Sequence, residues 1–483
     1  MRKIIQYMMM ALIAVVLASC ANDISEESTP TVKSNIRFVV DDFPMFEKPS
    51  TRTIGEEDKG KTAWAVGDEI CIKLESKELG IQTATLKYNG VKFEIQDGNS
   101  LCYLEGEPVT AYAYYAPGRK YLNDGYLGYK DDGEDGIAEF IEATCNVHYG
   151  DDNYIDISFA TATRNYSRLR IATMPNKPIT VSISEYTPAG SSNMIWDQNY
   201  ALTSDEKGNA YLYGTFGKSA EVTVKYGRAP LATHKFSQAT ENAKSYVLDA
   251  TVISANSAEE IKSVIEQEIA NSKNDKNVIL TLPSNASSSL FEAINTAIKN
   301  SGVEDGTVNL TLMGVMTIPE NAFNSVRGGA PGLLSVYLPD VTIIKRQAFE
   351  GNKLMDIDAP NVEEIGFKAF YKCTQLQDVD MRKASRIEYL AFEGCGRLDR
   401  VRFGALSSVG QIDRDGRDGI FKNCKTEIID LTLSSRQSMM QLRNTEEATH
   451  EWVPAGESYW DTEDYTNKKF LGYTFAQIHR VDD

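Results

Sequence analysis

Asp356-Ile357-Asp358-Ala359-Pro360-Asn361-Val362-Glu363-Glu364-Ile365-Gly366-Phe367-Lys368-Ala369-Phe370-Tyr371-Lys372-Cys373-Thr374-Gln375-Leu376 is one complete unit of a repeat. Ala-Phe recurs at Ala322-Phe323, Ala348-Phe349, Ala369-Phe370 and Ala391-Phe392, each time with an isoleucine five residues before the Phe: Ile318, Ile344, Ile365 and Ile387. An apolar-x-apolar strand lies upstream of each, and a fifth follows Phe392: Leu310/Leu312, Val336/Leu338, Ile357/Ala359, Val379/Met381 and Val401/Phe403, in steps of 26, 21, 22 and 22 residues. Three residues past Phe370, Phe392 and Phe421 stand Cys373, Cys395 and Cys424. One short strand in such a unit cannot bury its own apolar side. Stacked units share one continuous core, and their strands form a parallel ladder about 4.8 Å apart. The three cysteines then read as core rungs, each packing as a small hydrophobe.

Helices precede the repeat. Ser257-Ala258-Glu259-Glu260 and Ser289-Leu290-Phe291-Glu292 read as capping boxes, each opening an apolar helical stripe, with a strand at Val278–Pro283 between them. These helices are expected to close the N-terminal end of the stack, and the alternating Tyr473–His479 the other. A period of 20–29 residues with one strand per unit is that of leucine-rich-repeat solenoids. The Ile-x3-Ala-Phe-x2-Cys-x2-Leu pattern resembles the BspA-like, treponemal-type leucine-rich repeats of bacterial surface proteins.

Strict alternation places the residues flanking each apolar ladder position on the solvent face. They are Asn309/Thr311, Ser335/Tyr337, Asp356/Asp358, Asp378/Asp380 and Arg400/Arg402. In a structural reading Asp378 and Asp380 pair with Arg400 and Arg402 across adjacent strands. In a functional reading Tyr337, Asp356, Asp358, Asp378, Asp380, Arg400 and Arg402 form a ligand face, Tyr337 as anchor and the carboxylates for a cation, a basic peptide or sugar hydroxyls. Four neighbouring carboxylates demand a counter-ion, which keeps the second reading open. A flat ladder gives no reason for one carboxyl to act as acid and another as base.

Residues 33–250 are all β. Short alternating runs such as Ile70–Leu74, Val109–Ala116, Tyr154–Phe159 and Ala220–Tyr226 follow one another, and Asn89-Gly90 signals a type I′ hairpin. The length exceeds one typical sandwich, so two lobes are expected, 33–165 and 166–250. Trp64-Ala65-Val66-Gly67-Asp68-Glu69-Ile70, the Ala111–Pro117 strand, Asp156–Ala160 and Ser167-Arg168-Leu169-Arg170 resemble, in order, the landmarks of fimbrillin-like proteins of Bacteroidetes. That resemblance implies β-sandwich lipoproteins, some of them pilus subunits trimmed by an arginine-directed protease. Arg52 is a candidate for such a cut, though an ordinary loop arginine is the better reading, because nothing else marks the site. Acidic Gly-rich loops at Asp131–Gly136 and Asp413–Gly419 lack EF-hand spacing and are expected to be solvated.

At the N-terminus Arg2 and Lys3 precede an apolar run too short to span a membrane, which ends in Leu17-Ala18-Ser19-Cys20. This resembles a bacterial lipobox and implies a signal peptide at 1–19 with Cys20 lipidated. The acidic stretch that follows makes 20–32 a tether and resembles a surface-export signal of Bacteroidetes lipoproteins.

The chain of 483 residues carries a formal charge of −18 and only 4 histidines, far apart in sequence. Such acidity argues against nucleic acid as a partner, and the scattered histidines against a metal site. No nucleophile elbow, P-loop or dinucleotide fingerprint occurs. The expected architecture is multidomain: all-β fimbrillin-like sandwiches, then an α/β leucine-rich-repeat solenoid with a parallel β ladder over 251–483. The expected role is adhesion or binding, without cofactor or catalysis, by a lipid-anchored protein on the outer membrane. Its partners would be a host or bacterial surface protein or a glycan. A fimbrial accessory or tip subunit, assembled with other fimbrial subunits, and a glycan-binding lipoprotein of a polysaccharide-utilisation system are the alternatives.

Overall fold

The computed structural model describes residues 31–47, 60–96, 100–122, 124–131, 133–150, 153–160, 164–271, 276–329, 332–406, 408–409, 419–434, 440–443, 451–454, 469–470 and 473–481. Cys20, the tether up to Pro30, Arg52 and the loop up to Asp418 lie outside these residues. Among the described residues no helix is long and apolar enough to cross a membrane. The chain is mostly β, with sheets in its N-terminal half and a parallel ladder in its C-terminal half.

Three separate apolar cores organise it. In the first, a five-stranded sheet centred on Glu69–Ser76 faces a three-stranded sheet of Thr144–His148, Tyr154–Ser158 and Arg37–Val40. Alternation drives this packing: Ile70, Ile72 and Leu74 are fully buried on one side of a single strand. Trp64 packs edge-on against Phe43, Phe93, Tyr115 and Phe159, its ring centroid 4.9–5.6 Å from theirs. The Asn89-Gly90 connection is longer than the two-residue turn expected. Tyr88 pairs with Phe93, and the Asn89 side chain accepts from the Val91 and Lys92 N–H groups instead.

The second core lies between two four-stranded sheets, one holding Ser167–Ala172 and Asn209–Phe216, the other Pro178–Ile183, Glu221–Tyr226 and Ala229–Lys235. The acidic loop before Glu139 is not simply solvated. Tyr200 donates to the Asp135 carbonyl at 2.8 Å, and the Tyr213 N–H to that of Gly136 at 2.7 Å, so the loop joins the two lobes. A Cβ on Gly136 would lie 2.6 Å from the Tyr186 hydroxyl, which is why glycine occupies this seam.

The third core is the solenoid. Eight parallel strands run in order from Lys276–Thr281 through Val308–Met313, Leu333–Tyr337, Asp356–Asp358, Asp378–Met381, Arg400–Phe403 and Asp430–Ser434 to Gln477–Val481. A second parallel sheet of five two-residue strands holds Ile318, Ile344, Ile365 and Ile387 in register. The isoleucine found five residues before each Phe is therefore a second rung of the same unit. Helices Ala258–Asn271 and Ser288–Asn300 contribute their buried residues to the same core as the first strands. The first begins as a capping box, with Ser257 accepting from the Glu260 N–H. The second does not: its N-cap is Ser287, without a side-chain capping bond.

Between units the Ala-Phe segment bonds like a strand. Phe323, Phe349 and Phe370 N–H groups donate to the carbonyls of Ala348, Ala369 and Ala391 at 2.6–2.8 Å. The residue before each Ala, namely Asn321, Gln347, Lys368 and Leu390, has φ between 53° and 61°. That left-handed turn aims the Phe inward. The rings then stack: Phe323 on Phe349, Phe349 on Phe370 and Phe370 on Phe392, with centroids 5.1–5.2 Å apart. Cys373, Cys395 and Cys424 donate from Sγ to the carbonyls of Phe349, Phe370 and Phe392 at 3.0–3.1 Å. Asn352 fills the same place one unit earlier, donating to the Phe323 carbonyl at 3.0 Å.

Candidate functional site

The ladder positions each outward residue by register. One column reads Asn309, Ser335, Asp356, Asp378, Arg400, Asp430 and Gln477; the other reads Thr311, Tyr337, Asp358, Asp380, Arg402, Thr432 and His479. Between them Val336, Ile357, Val379 and Val401 point into the core, so every outward side chain stands on a rigid, buried rung.

Two of the expected ligand residues are not free. Tyr337 is 9% exposed and Asp358 only 2%. What covers them is the second lobe's hairpin turn, in which Tyr226 pairs with Ala229 across Gly227 and Arg228. Gly227 has φ 56°, as the first central residue of a type II′ turn requires. It also lies so close that a Cβ there would fall 1.7 Å from the Tyr337 hydroxyl. The Arg228 N–H donates to that hydroxyl, and the guanidinium sits 5.6 Å from the centre of the Tyr337 ring. Arg228 Nε lies 2.7 Å from Asp358 Oδ2 and its Nη2 3.3 Å from Asp356 Oδ1.

Beside this contact Asp340 accepts from the Tyr226 hydroxyl at 2.7 Å, from the Gly314 N–H at 2.8 Å and from Lys177 at 2.5 Å. For Asp356 and Asp358 the counter-ion thus comes from another lobe.

Further along, Arg400 forks onto Asp378 with bonds of 2.6 and 2.7 Å, the pairing expected across the strands. Asp380 does not pair with Arg402. Arg382, two residues along the chain, turns back to take it instead, with Nε at 3.2 Å and Nη2 closer still. Arg402 is left with a buried Nε that has no hydrogen-bond partner. Asp378, Asp380, Arg400 and Arg402 line an open groove of about 490 Å³, floored by Val379 and Val401 and flanked by Arg228 at one end and Asp430, Thr432 and His479 at the other.

The electrostatics follow the burial. Desolvation pushes the Asp358 carboxyl up to about 6 despite Arg228, and its Oδ1 has no hydrogen-bond partner. Burial likewise raises Asp356 and the Tyr337 phenol. For Asp340 burial acts upward too, but Lys177, the Gly314 N–H and Tyr226 outweigh it and hold the carboxyl below its ordinary value. The bonds to Asp378 raise Arg400. Among the described residues no three His, Cys, Asp or Glu side chains are placed to hold a metal ion. The groove can therefore read a polar partner through arginine and aspartate, with an apolar floor for contact.

Of the seven expected ladder residues, Asp356, Asp378, Asp380, Arg400 and Arg402 meet in the groove, while Tyr337 and Asp358 lie beneath the turn. Reasoning from sequence missed Arg228, Asp430, Thr432 and His479. The last three follow from carrying the repeat register past the long step after Phe403, a signal that was present.

No curated protein matches the chain. Among solved structures it is similar to shaft pilin SpaA from Lactobacillus rhamnosus GG and a single-substitution variant of it, at 10% identity, covering 46% of this chain and 96–98% of that one, with a TM-score of 0.17. Residues 307–428, which include the carboxylate and arginine rungs just described, match the model of the BspA type leucine rich repeat region in six copies.

Proposed function

We propose that this chain is a binding or adhesion protein of the cell surface, tethered to the outer membrane through Cys20, that holds a partner in the ladder groove. The partner is a host or bacterial surface protein or a glycan. The observation that carries the reading is the open groove of about 490 Å³, in which Arg402 keeps an unpartnered buried Nε beside the apolar floor of Val379 and Val401. An unmet donor on a rigid rung costs free energy until a ligand acceptor meets it. The lipid anchor is supported by the lipobox-like sequence ending at Cys20.

The test displays the chain from Ala21 onward to panels of matrix proteins, bacterial surface proteins and glycans, beside the double variant Arg400→Glu/Arg402→Glu. The wild type should retain specific partners and the variant should lose them with its circular dichroism unchanged. Equal retention by both, or none by the wild type, would defeat the reading.

A further inference from the structure

The contact between the Tyr226–Arg228 turn and the ladder is small, polar and imperfect. Its described polar bonds are those of Arg228 to Asp356, Asp358 and Tyr337, and those of Lys177 and Tyr226 to Asp340. Arg228 remains 54% exposed in its side chain while holding a carboxylate that is 3% exposed. The guanidinium divides itself between two aspartates instead of forking onto one, and Asp358 Oδ1 stays buried without a donor. A two-pronged arginine–carboxylate pair is the stronger geometry. The turn therefore fits the site without saturating it, and the same surface runs on into the open groove, where Asp356 and Arg228 are shared walls.

We propose that Tyr337, Asp356 and Asp358 form a recognition site for an arginine-bearing β turn of a protein partner, and that the chain's own Tyr226–Arg228 turn occupies this site in cis. The inference rests on the groove being the binding surface and narrows the partner to a protein presenting arginine at the tip of a hairpin. Charge complementarity supports it: three aspartates of the solenoid, Asp340, Asp356 and Asp358, face Lys177 and Arg228 of the lobe. Shape supports it as well, because the close approach at Tyr337 admits only glycine before the arginine. An internal occupant competes at an effective concentration of roughly millimolar. Opening the contact should then unmask the site for a turn supplied from outside.

The test uses the full extracellular chain and a fluorescent cyclic peptide of residues 224–231, which carries the Tyr-Gly-Arg turn. Two opened variants are compared with wild type. Lys177→Ala/Arg228→Ala removes all three ion pairs of the contact, and Gly227→Val evicts the turn sterically should the first not fold. The peptide should bind each folded opened variant at least about tenfold more tightly than wild type. Replacing its arginine by alanine, or adding Asp358→Asn to the protein, should abolish binding. Equal affinity for wild type and opened variants, or no binding to the opened variants, overturns the inference. Peptide failure alongside intact panel binding sinks this proposal alone, whereas peptide binding without any panel partner sinks only the adhesion reading.

Discussion

Replacing Asn352 by alanine tests how the solenoid is held together, because this fully buried side chain closes two backbone groups at once. Its Nδ2 donates to the Phe323 carbonyl at 3.0 Å and its Oδ1 accepts from the Leu354 N–H at 3.0 Å. Asn352→Ala leaves one buried acceptor and one buried donor unmet. Each such group costs about 1–3 kcal/mol, so the local opening free energy should fall by about 2–6 kcal/mol. In hydrogen exchange, at about 1.4 kcal/mol per factor of ten, amides of segment 320–358 should exchange roughly 30- to 20,000-fold faster, while both β lobes stay unchanged. Asn352→Cys installs the residue that the next three units use against the same carbonyl, and about half of the loss should return. A change below threefold in Asn352→Ala, or no recovery in Asn352→Cys, would refute the carbonyl-capping column.

Two further outcomes follow from the same packing and charges. Phe370 is fully buried between Phe349 at 5.2 Å and Phe392 at 5.1 Å. Phe370→Ala should therefore cost about 3–5 kcal/mol in urea unfolding followed by far-ultraviolet circular dichroism, and a loss under 1 kcal/mol would contradict the ring stack. Asp358 faces Arg228, Asp380, Arg382, Asp356 and Tyr337, and burial lifts its carboxyl to about 6 in the folded chain. The unfolded value lies near 3.9, so between about pH 6 and 4 the folded state takes up a proton that the unfolded state does not. The stability of wild type relative to Asp358→Asn should rise as pH falls through that window, by up to about 3 kcal/mol. A pH-independent difference would contradict the burial of a charged Asp358.

The repeat was legible because stacking demands the same residue at the same offset. A Phe ring can lie on the next Phe only if Ala-Phe recurs with the strand, and so the ladder, the second isoleucine sheet and the cysteine column could all be read from spacing. Asn352 was legible too, three residues past Phe349, but its chemistry differs from cysteine and hid the match. The cover on the ladder face was not legible. Arg228 lies 128 residues from Asp356, and nothing in Tyr226-Gly227-Arg228 says which surface a hairpin turn will meet. Strict alternation correctly aimed Tyr337 and Asp358 outward from the sheet; it carries no information about a second lobe that then buries them. Asp380 shows the same limit at short range. Cross-strand register offered it Arg402, but the local turn after Met381 brought Arg382 closer. The acidic loop before Glu139 reads as solvated by composition, yet its backbone carbonyls bind tyrosine and backbone donors of the neighbouring lobe.

The most direct test of the central claim is differential hydrogen exchange of the chain from Ala21 onward, free and with a partner retained from the panels. The account predicts protection concentrated on the ladder strands Asp378–Met381 and Arg400–Phe403 that floor the groove, with the second sheet at Glu364–Ile365 and Arg386–Ile387 unaffected. Protection confined to the β lobes, with no change along those ladder strands, would contradict it.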